Sequence, residues 1–574
     1  MHDVVIRNAT IVDGSGAERF DGDIAIDDGR IVSVGPAAGR GRDEVDATDC
    51  IVTPGFVDPH THYDGQATWD SLLAPSVWHG VTAVVMGNCG VGFAPAAPDR
   101  HEWLIGLMEG VEDIPGAALA DGMQWNWETF PQYLDALAQR PRSIDVVAQV
   151  AHGAVRGYVM GERGAANEDS TPDDIARMAQ IVGDGVAAGA LGFSTNRLPG
   201  HRAIDGRVVP GTYAEEAELF AIAHAMAERS GGRAVFEMVT GTAVHASTLD
   251  HWRAELEWMA RLSRDTGTPV LFGFGGPDTW AELIGIIDDA NATGARLVPQ
   301  ISCRPVGSLL GFQGRQPFQG RPSYDAIAHL PLAVRVVELR DPERRARILS
   351  EPSGVPDIAL PYDVTTMLEL AYPLGADLDY EPKASESIAA RAKAAAIDPV
   401  ELLYDSLLAD DGRAMILFAL GNYRFANLDH SYSLLQRTDT VVGLGDGGAH
   451  VSFICDAGYP TFMLSHWVRD RERGPRLPLE LIVRKLTSEP ARVYGLGDRG
   501  VLAAGRRADI NIIDPDRVRL TAPYIAHDLP TGAPRLLQKA NGYVATYVAG
   551  ACVQREGEDT GARPGRVVRA HSIG

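Results

Sequence analysis

The chain has 574 residues, 45% of them hydrophobic and 22% charged, which is the composition of a folded globular protein and not of a disordered one. Fifty-two Lys and Arg stand against 76 Asp and Glu, a formal charge of −24. That balance disfavours nucleic acid or an anionic membrane as the main partner, because both reward clustered positive charge.

No run approaches the roughly 20 apolar residues needed to span a bilayer. The start, MHDVVIRNATIVDGSG, has no basic stretch leading into an apolar one. Five cysteines (Cys50, Cys89, Cys303, Cys455 and Cys552) are odd in number and widely spaced, so they do not form a disulfide framework. The expected compartment is the cytoplasm.

The first fifty residues alternate in short β-like runs, DVVIRNATIVDG and DIAIDDGRIVSVG, with Asp-Gly turns. The same texture returns after residue 495, in GVLAAGRRADINIIDPDRV and NGYVATYVAGACVQREG. One small sheet assembled from both ends of the chain is the simplest reading.

Between these ends, eight apolar strand-like runs follow one another: IVTPGFVDPHTH, VTAVVMGNCG, SIDVVAQVAHG, GALGFSTN, RAVFEMVTG, TPVLFGFGG, RLVPQIS and TVVGLGDGGAH. Amphipathic stretches separate several of them, among them TPDDIARMAQIVGDGVAAG, whose Thr-Pro-Asp opening suits a helix start. Eight strands alternating with helices predict an α/β chain, a (β/α)8 barrel. About 130 residues part the seventh and eighth runs; they must hold extra helices such as YDAIAHLPLAVRVVELRDPERRARILSE, and are expected to cover the barrel mouth.

Active sites of such barrels sit at the C-terminal strand ends, so the residues there matter most. His60 and His62 end the first run in Asp58-Pro59-His60-Thr61-His62. Alternate strand residues point the same way, so both imidazoles can face the barrel axis and hold zinc. Asp446, in Gly445-Asp446-Gly447-Gly448, ends the eighth run; a carboxylate there can ligate metal and shuttle a proton. Cys89 ends the second run and reads as a zinc thiolate or as a small buried hydrophobe. Glu237 ends the fifth between Phe236 and Met238, where a carboxylate needs a partner such as a metal. His152, ending the third, reads either as a group that polarises a carbonyl or as a core histidine. Ser194 and Thr195 read as cap residues, and Arg304 pairs with a substrate anion or a surface acid.

With these residues in place, TPGFVDPHTHYD after a β-rich start resembles the signature of the amidohydrolase superfamily. The chain is most similar to the D-aminoacylase (N-acyl-D-amino-acid deacylase) family through GNCGVGFAP, WNWETFPQYLDAL, HGAVRGYVMG, LGFST, PGTYAEEAEL and LTSEPARVYGLGDRGVLAAGRRADINIID. The resemblance implies a TIM barrel with a small β-sandwich: residues 1–53 and 495–574 for the sandwich, 54–494 for the barrel, with a long insertion at about 305–435. It matches His60 and His62 to first-strand metal ligands, Cys89 to a cysteine ligand and Asp446 to the catalytic aspartate. GALGFST holds no lysine, so no carboxylated lysine bridges two metals.

Three departures stand beside these matches. The family's metal-binding histidines at the ends of the fifth and sixth strands are replaced by Glu237 and Phe274, and its carboxylate-gripping arginine by Cys455 and Asp456 in HVSFICDAGYPTF. A substrate carboxylate would then depend on Arg304.

The resulting expectation is a zinc-dependent hydrolase of amide-type C–N bonds other than peptide bonds, using a zinc-activated water and one zinc rather than two. Asp446 and His152 are the catalytic residues; His60, His62, Cys89, Asp446 and Glu237 bind metal; Arg304 and His450 bind substrate. The alternatives are a hydrolase of a cyclic amide, lactone or other ester at the same site, or a metal-depleted, non-catalytic binding barrel. The partner is a small amide-type molecule, with homo-oligomerisation left open.

Overall fold

The computed structural model describes residues 1–36, 38–241, 248–352 and 363–572. All eight apolar runs become strands: Phe56–Asp58, Val81–Met86, Asp145–Ala151, Gly192–Asn196, Val235–Val239, Val270–Gly273, Leu297–Ile301 and Val441–Val442. They form one parallel sheet in chain order, each hydrogen-bonded to the next, and are numbered first to eighth below. Every residue of the second and third strands is buried, as uninterrupted apolar runs in a parallel sheet require. Beyond the strands proper, Thr61 bridges to Gly447, so the chain leaving the first strand meets the chain leaving the eighth.

Helices fill the connections where the patterning placed them. Helix Pro172–Ala188 starts at Thr171, whose hydroxyl accepts from Asp174 N while the Asp174 carboxylate accepts from Thr171 N. This reciprocal capping satisfies two orphan donors. Helix Glu216–Ser230 stops at Gly231, which has φ 64°, a left-handed value that glycine adopts without a steric cost.

Both ends of the chain meet in a second sheet of nine strands. Its seam is the antiparallel pairing of Ile51–Pro54 with Ile510–Ile513, in the register Val52↔Ile512. Ile6, Ile24, Val52, Ile510 and Tyr547 bury together in its apolar cluster. The expected Asp-Gly turn is present: Asp28 and Gly29, both with positive φ, join Phe20–Asp27 to Arg30–Gly35. The chain after Asp559 leaves this sheet. Val568 N donates to Val146 O at 2.8 Å and Arg566 O accepts from Val146 N at 2.9 Å, tying the tail to the third strand.

The long connection between the seventh and eighth strands differs from expectation. The stretch expected to be helical forms three helices, Pro322–Ala328, Leu332–Leu339 and Pro342–Ser350, because Pro331 and Pro342 cannot continue the helices before them. The connection also carries an antiparallel sheet of Val306–Leu310, Ala371–Pro373 and Ile416–Gly421. Leu310, Phe312, Phe318, Tyr404 and Phe418 give it an apolar cluster of its own. All five cysteines are free, and among the described residues no helix is long and apolar enough to cross a membrane.

Candidate metal centre

The His60-Thr61-His62 segment is pinned from both sides. Thr61 N donates to Val85 O at 2.9 Å, His62 N to Gly447 O at 2.8 Å, and Asp446 N to His60 O at 3.2 Å. Extended backbone held this way points both imidazoles in one direction. The turn after the eighth strand passes so close that side chains would not fit: a Cβ on Gly448 (φ +93°) would stand 2.9 Å from the His62 carbonyl oxygen. Cys89, Asp446 and His450 hold φ of 56°, 46° and 47°. Left-handed backbone at non-glycine residues costs of order 1–3 kcal/mol each and collects at functional sites.

The side chains converge. The donor atoms of His60, His62 and Cys89 lie within 4.8 Å of one another. Cys89 Sγ is 3.4 Å from His60 Nε2 and 3.8 Å from His62 Nε2. Asp446 Oδ1 is 3.4 Å from His60 Nε2 and 3.7 Å from His62 Nε2. The two histidines and Cys89 are buried, whereas the Asp446 side chain keeps 18% of its surface exposed. Two imidazoles, a thiol and a carboxylate in one buried cluster are a nitrogen, sulfur and oxygen donor set that suits zinc.

The charges around this cluster point the same way. Burial pushes the Glu237 carboxyl up to about 8, although its Oε2 accepts from Cys89 N at 3.2 Å. Glu237 Oε1 has no hydrogen-bond partner and lies 3.9 Å from His60 Nδ1. Asp58 is likewise raised by burial to about 8, with one oxygen on His60 N and the other without a partner. Burial also raises the Cys89 thiol, helped by Glu112, Glu237 and Asp446. Burial works against the Asp446 carboxylate too, yet the His62 hydrogen bond and the neighbouring imidazoles hold it far below the usual range. Buried acids whose ion-pair partners among the described residues are imidazoles alone are what a divalent cation neutralises.

His450 sits beside this centre, its Nε2 3.4 Å from Glu112 Oε2. Phe274 packs edge-on against Trp252 and Phe272, so the sixth strand offers no donor. Three expectations are corrected. His152 has both ring nitrogens engaged, Nδ1 with Thr195 Oγ1 at 2.8 Å and Nε2 with Glu218 Oε1 at 2.7 Å, leaving neither for a substrate carbonyl. Ser194 and Thr195 are strand residues and not caps: Ser194 Oγ accepts from Gly90 N at 3.0 Å. The acid that Arg304 meets is not on the surface: Arg304 is buried and ion-paired with Asp456, its guanidinium 4.5 Å above the Tyr380 ring.

Three residues near the centre carried no sequence signal. Gln300 on the seventh strand holds His60 Nδ1 at 2.9 Å through Oε1. Glu112, the last residue of helix His101–Glu112, places Oε1 3.4 Å from His62 Nδ1. His201, pushed down by burial to about 3 and influenced by His450, His62 and Asp446, comes from the loop after the fourth strand and accepts from Asn196 Nδ2. A partner such as Gln300 orients a metal-binding imidazole, and no motif spacing announces any of the three.

Known proteins resemble this chain along nearly its whole length. The D-aminoacylase of Alcaligenes xylosoxydans xylosoxydans is 26% identical over 577 residues, covering 99% of this chain and 97% of that protein. The N-acyl-D-aspartate deacylase of the same organism is 28% identical, covering 99% and 95%. Among solved structures, the N-acyl-D-glutamate deacylase of Bordetella bronchiseptica, complexed with zinc and a phosphonate inhibitor, has the same fold: TM-score 0.62 at 24% identity, over 99% of both chains. Residues 43–554 match the model of the Amidohydrolase family, and the chain belongs to that family.

Proposed function

We propose that the protein is a metal-dependent hydrolase of amide-type C–N bonds, similar in its chemistry to the N-acyl-D-amino-acid deacylases. The observation that carries this reading is the convergence of His60, His62, Cys89 and Asp446 at 3.4–3.8 Å. His60, His62, Cys89 and Asp446 would hold one zinc ion, with Glu237 at its edge. When bound, zinc supplies Lewis acidity toward a carbonyl oxygen and brings the pKa of water to about 7.

The chain's own residues do the rest. Gln300 fixes the His60 imidazole from behind, and Glu112 stands 3.4 Å behind the His62 ring. Asp446 is ionised at neutral pH and stands at the exposed edge of the cluster. It takes the proton of the attacking water and returns it to the departing amine nitrogen. The same reading takes the eight parallel strands as a (β/α)8 barrel over residues 54–494, supported by the Thr61–Gly447 bridge, and residues 1–53 with 495–574 as the small β-sandwich.

Asp446→Asn tests the assignment. Proton transfer by a positioned side chain is worth roughly 10²–10⁴-fold, so turnover of an N-acyl amine should fall at least about a hundredfold. Elemental analysis should still find about one zinc per chain. Activity within tenfold of wild type would remove Asp446 from the proposed role, and a protein that takes up no zinc would remove the reading itself.

A further inference from the structure

Asp446 opens onto a pocket lined by Gly447, Val451, Cys455, Asp456, Leu536 and Arg535. On the hydrolase reading above, this pocket has a defined occupant. A proton passes from Asp446 to the leaving nitrogen only within hydrogen-bond reach, roughly 3 Å. The substituent on that nitrogen therefore lies in the space Asp446 shares with Asp456.

Both cations of that space already have an acidic partner. Asp456 shows 11% of its side chain, while Arg304 behind it shows 2% and is ion-paired to it. Arg304 also lies against the Tyr380 ring. Arg535, the other cation of the wall, spends Nε and Nη2 on Asp528 at 2.7 and 2.9 Å and Nη1 on the Ala74 carbonyl at 3.1 Å. The two guanidiniums a carboxylate would meet here are each opposed by an acid already, Arg304 by Asp456 and Arg535 by Asp528. A buried carboxylate without a cation to pair with is costly, whereas a neutral or cationic donor finds Asp456 as its acceptor.

We propose that the amine half of the substrate carries no carboxylate, and that Asp456, backed by Arg304, selects a neutral or cationic substituent. The inference rests on the hydrolase reading, and one set of substrates separates the two. Zinc-loaded wild-type protein is given leucine and leucinamide as their N-formyl, N-acetyl and N-butyryl derivatives, in both enantiomers, and kcat/KM is measured for each. The carboxamide of every reactive pair should exceed the free acid by about tenfold or more. In Asp456→Asn, which frees the Arg304 charge, that ratio should narrow or invert. Free acids hydrolysed as well as or better than their carboxamides by the wild type would overturn the inference and leave the hydrolase reading standing. Hydrolysis of none of the twelve compounds would overturn the hydrolase reading, and the inference with it. The wild-type ratio decides even where the variant does not fold.

Discussion

Two groups of buried acids sit at opposite ends of the parallel sheet, and they are treated differently. At the N-terminal end, Asp145 opens the third strand and meets Arg499 Nη1 at 2.7 Å and Arg507 Nη2 at 3.1 Å. Asp498 is held by Arg499 and Arg566, and Asp509 by Arg507 and Arg499. Three carboxylates face three guanidiniums, and the C-terminal segment is tied to the sheet through them. At the C-terminal end, the ion-pair partners of Glu112, Glu237 and Asp446 among the described residues are imidazoles, and Asp58 keeps one oxygen without a partner. A buried charge must be paired or bind a metal. The first group is a structural clamp complete in itself, and the second has the composition of a site that a cation completes.

The largest effect should come from breaking the clamp. Arg499→Met removes the guanidinium shared by three acids while roughly keeping its volume. Breaking a buried pair from one side costs about 3–5 kcal/mol, because the acids remain behind. Denaturant unfolding should show a loss of that size, and zinc content per folded chain should not change. A loss under about 1 kcal/mol would mean that solvent reaches this network and that the contrast between the two ends is false.

How much of this was legible in the sequence depends on how local the cause is. The eight strands were readable because burial on both faces demands uninterrupted apolar runs. His60, His62, Cys89 and Asp446 were readable because each ends such a run. Glu112 was not: MEGVEDIP reads as an ordinary helix end, and its contact with His62 is made by tertiary packing alone. Gln300 looked like a polar residue closing RLVPQIS. His152 was open between a carbonyl-polarising group and a core histidine because its strand-end place does not decide, and Glu218, sixty-six residues away, claims its Nε2. The antiparallel sheet in the long connection was missed because its strands pair across about 45 and about 110 residues, with no turn signal linking them.

Adding the cation should act on one end only. Zinc at a hundredfold excess over its dissociation constant contributes about 2.7 kcal/mol to folding, so the thermal midpoint of chelator-treated protein should rise on titration. Hydrogen exchange should localise the gain to residues 60–62, 86–90 and 446–450, leaving the amides around Asp145 and Arg499 as they were. Protection gained equally at both ends would show that zinc binds elsewhere or stabilises the chain globally.

The smallest effect is the most specific, because it separates a carboxylate placed for a metal ligand from one placed for stability. Glu112 is 1% exposed, and neither oxygen has a hydrogen-bond partner. They stand 3.4 Å from His62 Nδ1 and 3.4 Å from His450 Nε2, and burial raises the carboxyl well above its ordinary range. If its work is to orient His62, Glu112→Gln keeps the shape and one acceptor but loses the charge that favours a donating Nδ1. Replacing such an outer partner typically weakens metal affinity 10–100-fold, or about 1.4–2.8 kcal/mol. Competition with a chelator should read a shift of that size. The metal-free protein should be as stable as wild type or more so, since a buried carboxyl without a hydrogen-bond partner has gone, which is the reverse of the result expected for Arg499→Met. Zinc affinity within threefold of wild type would show that Glu112 does not hold His62, and its burial would then be a cost the fold carries for His450.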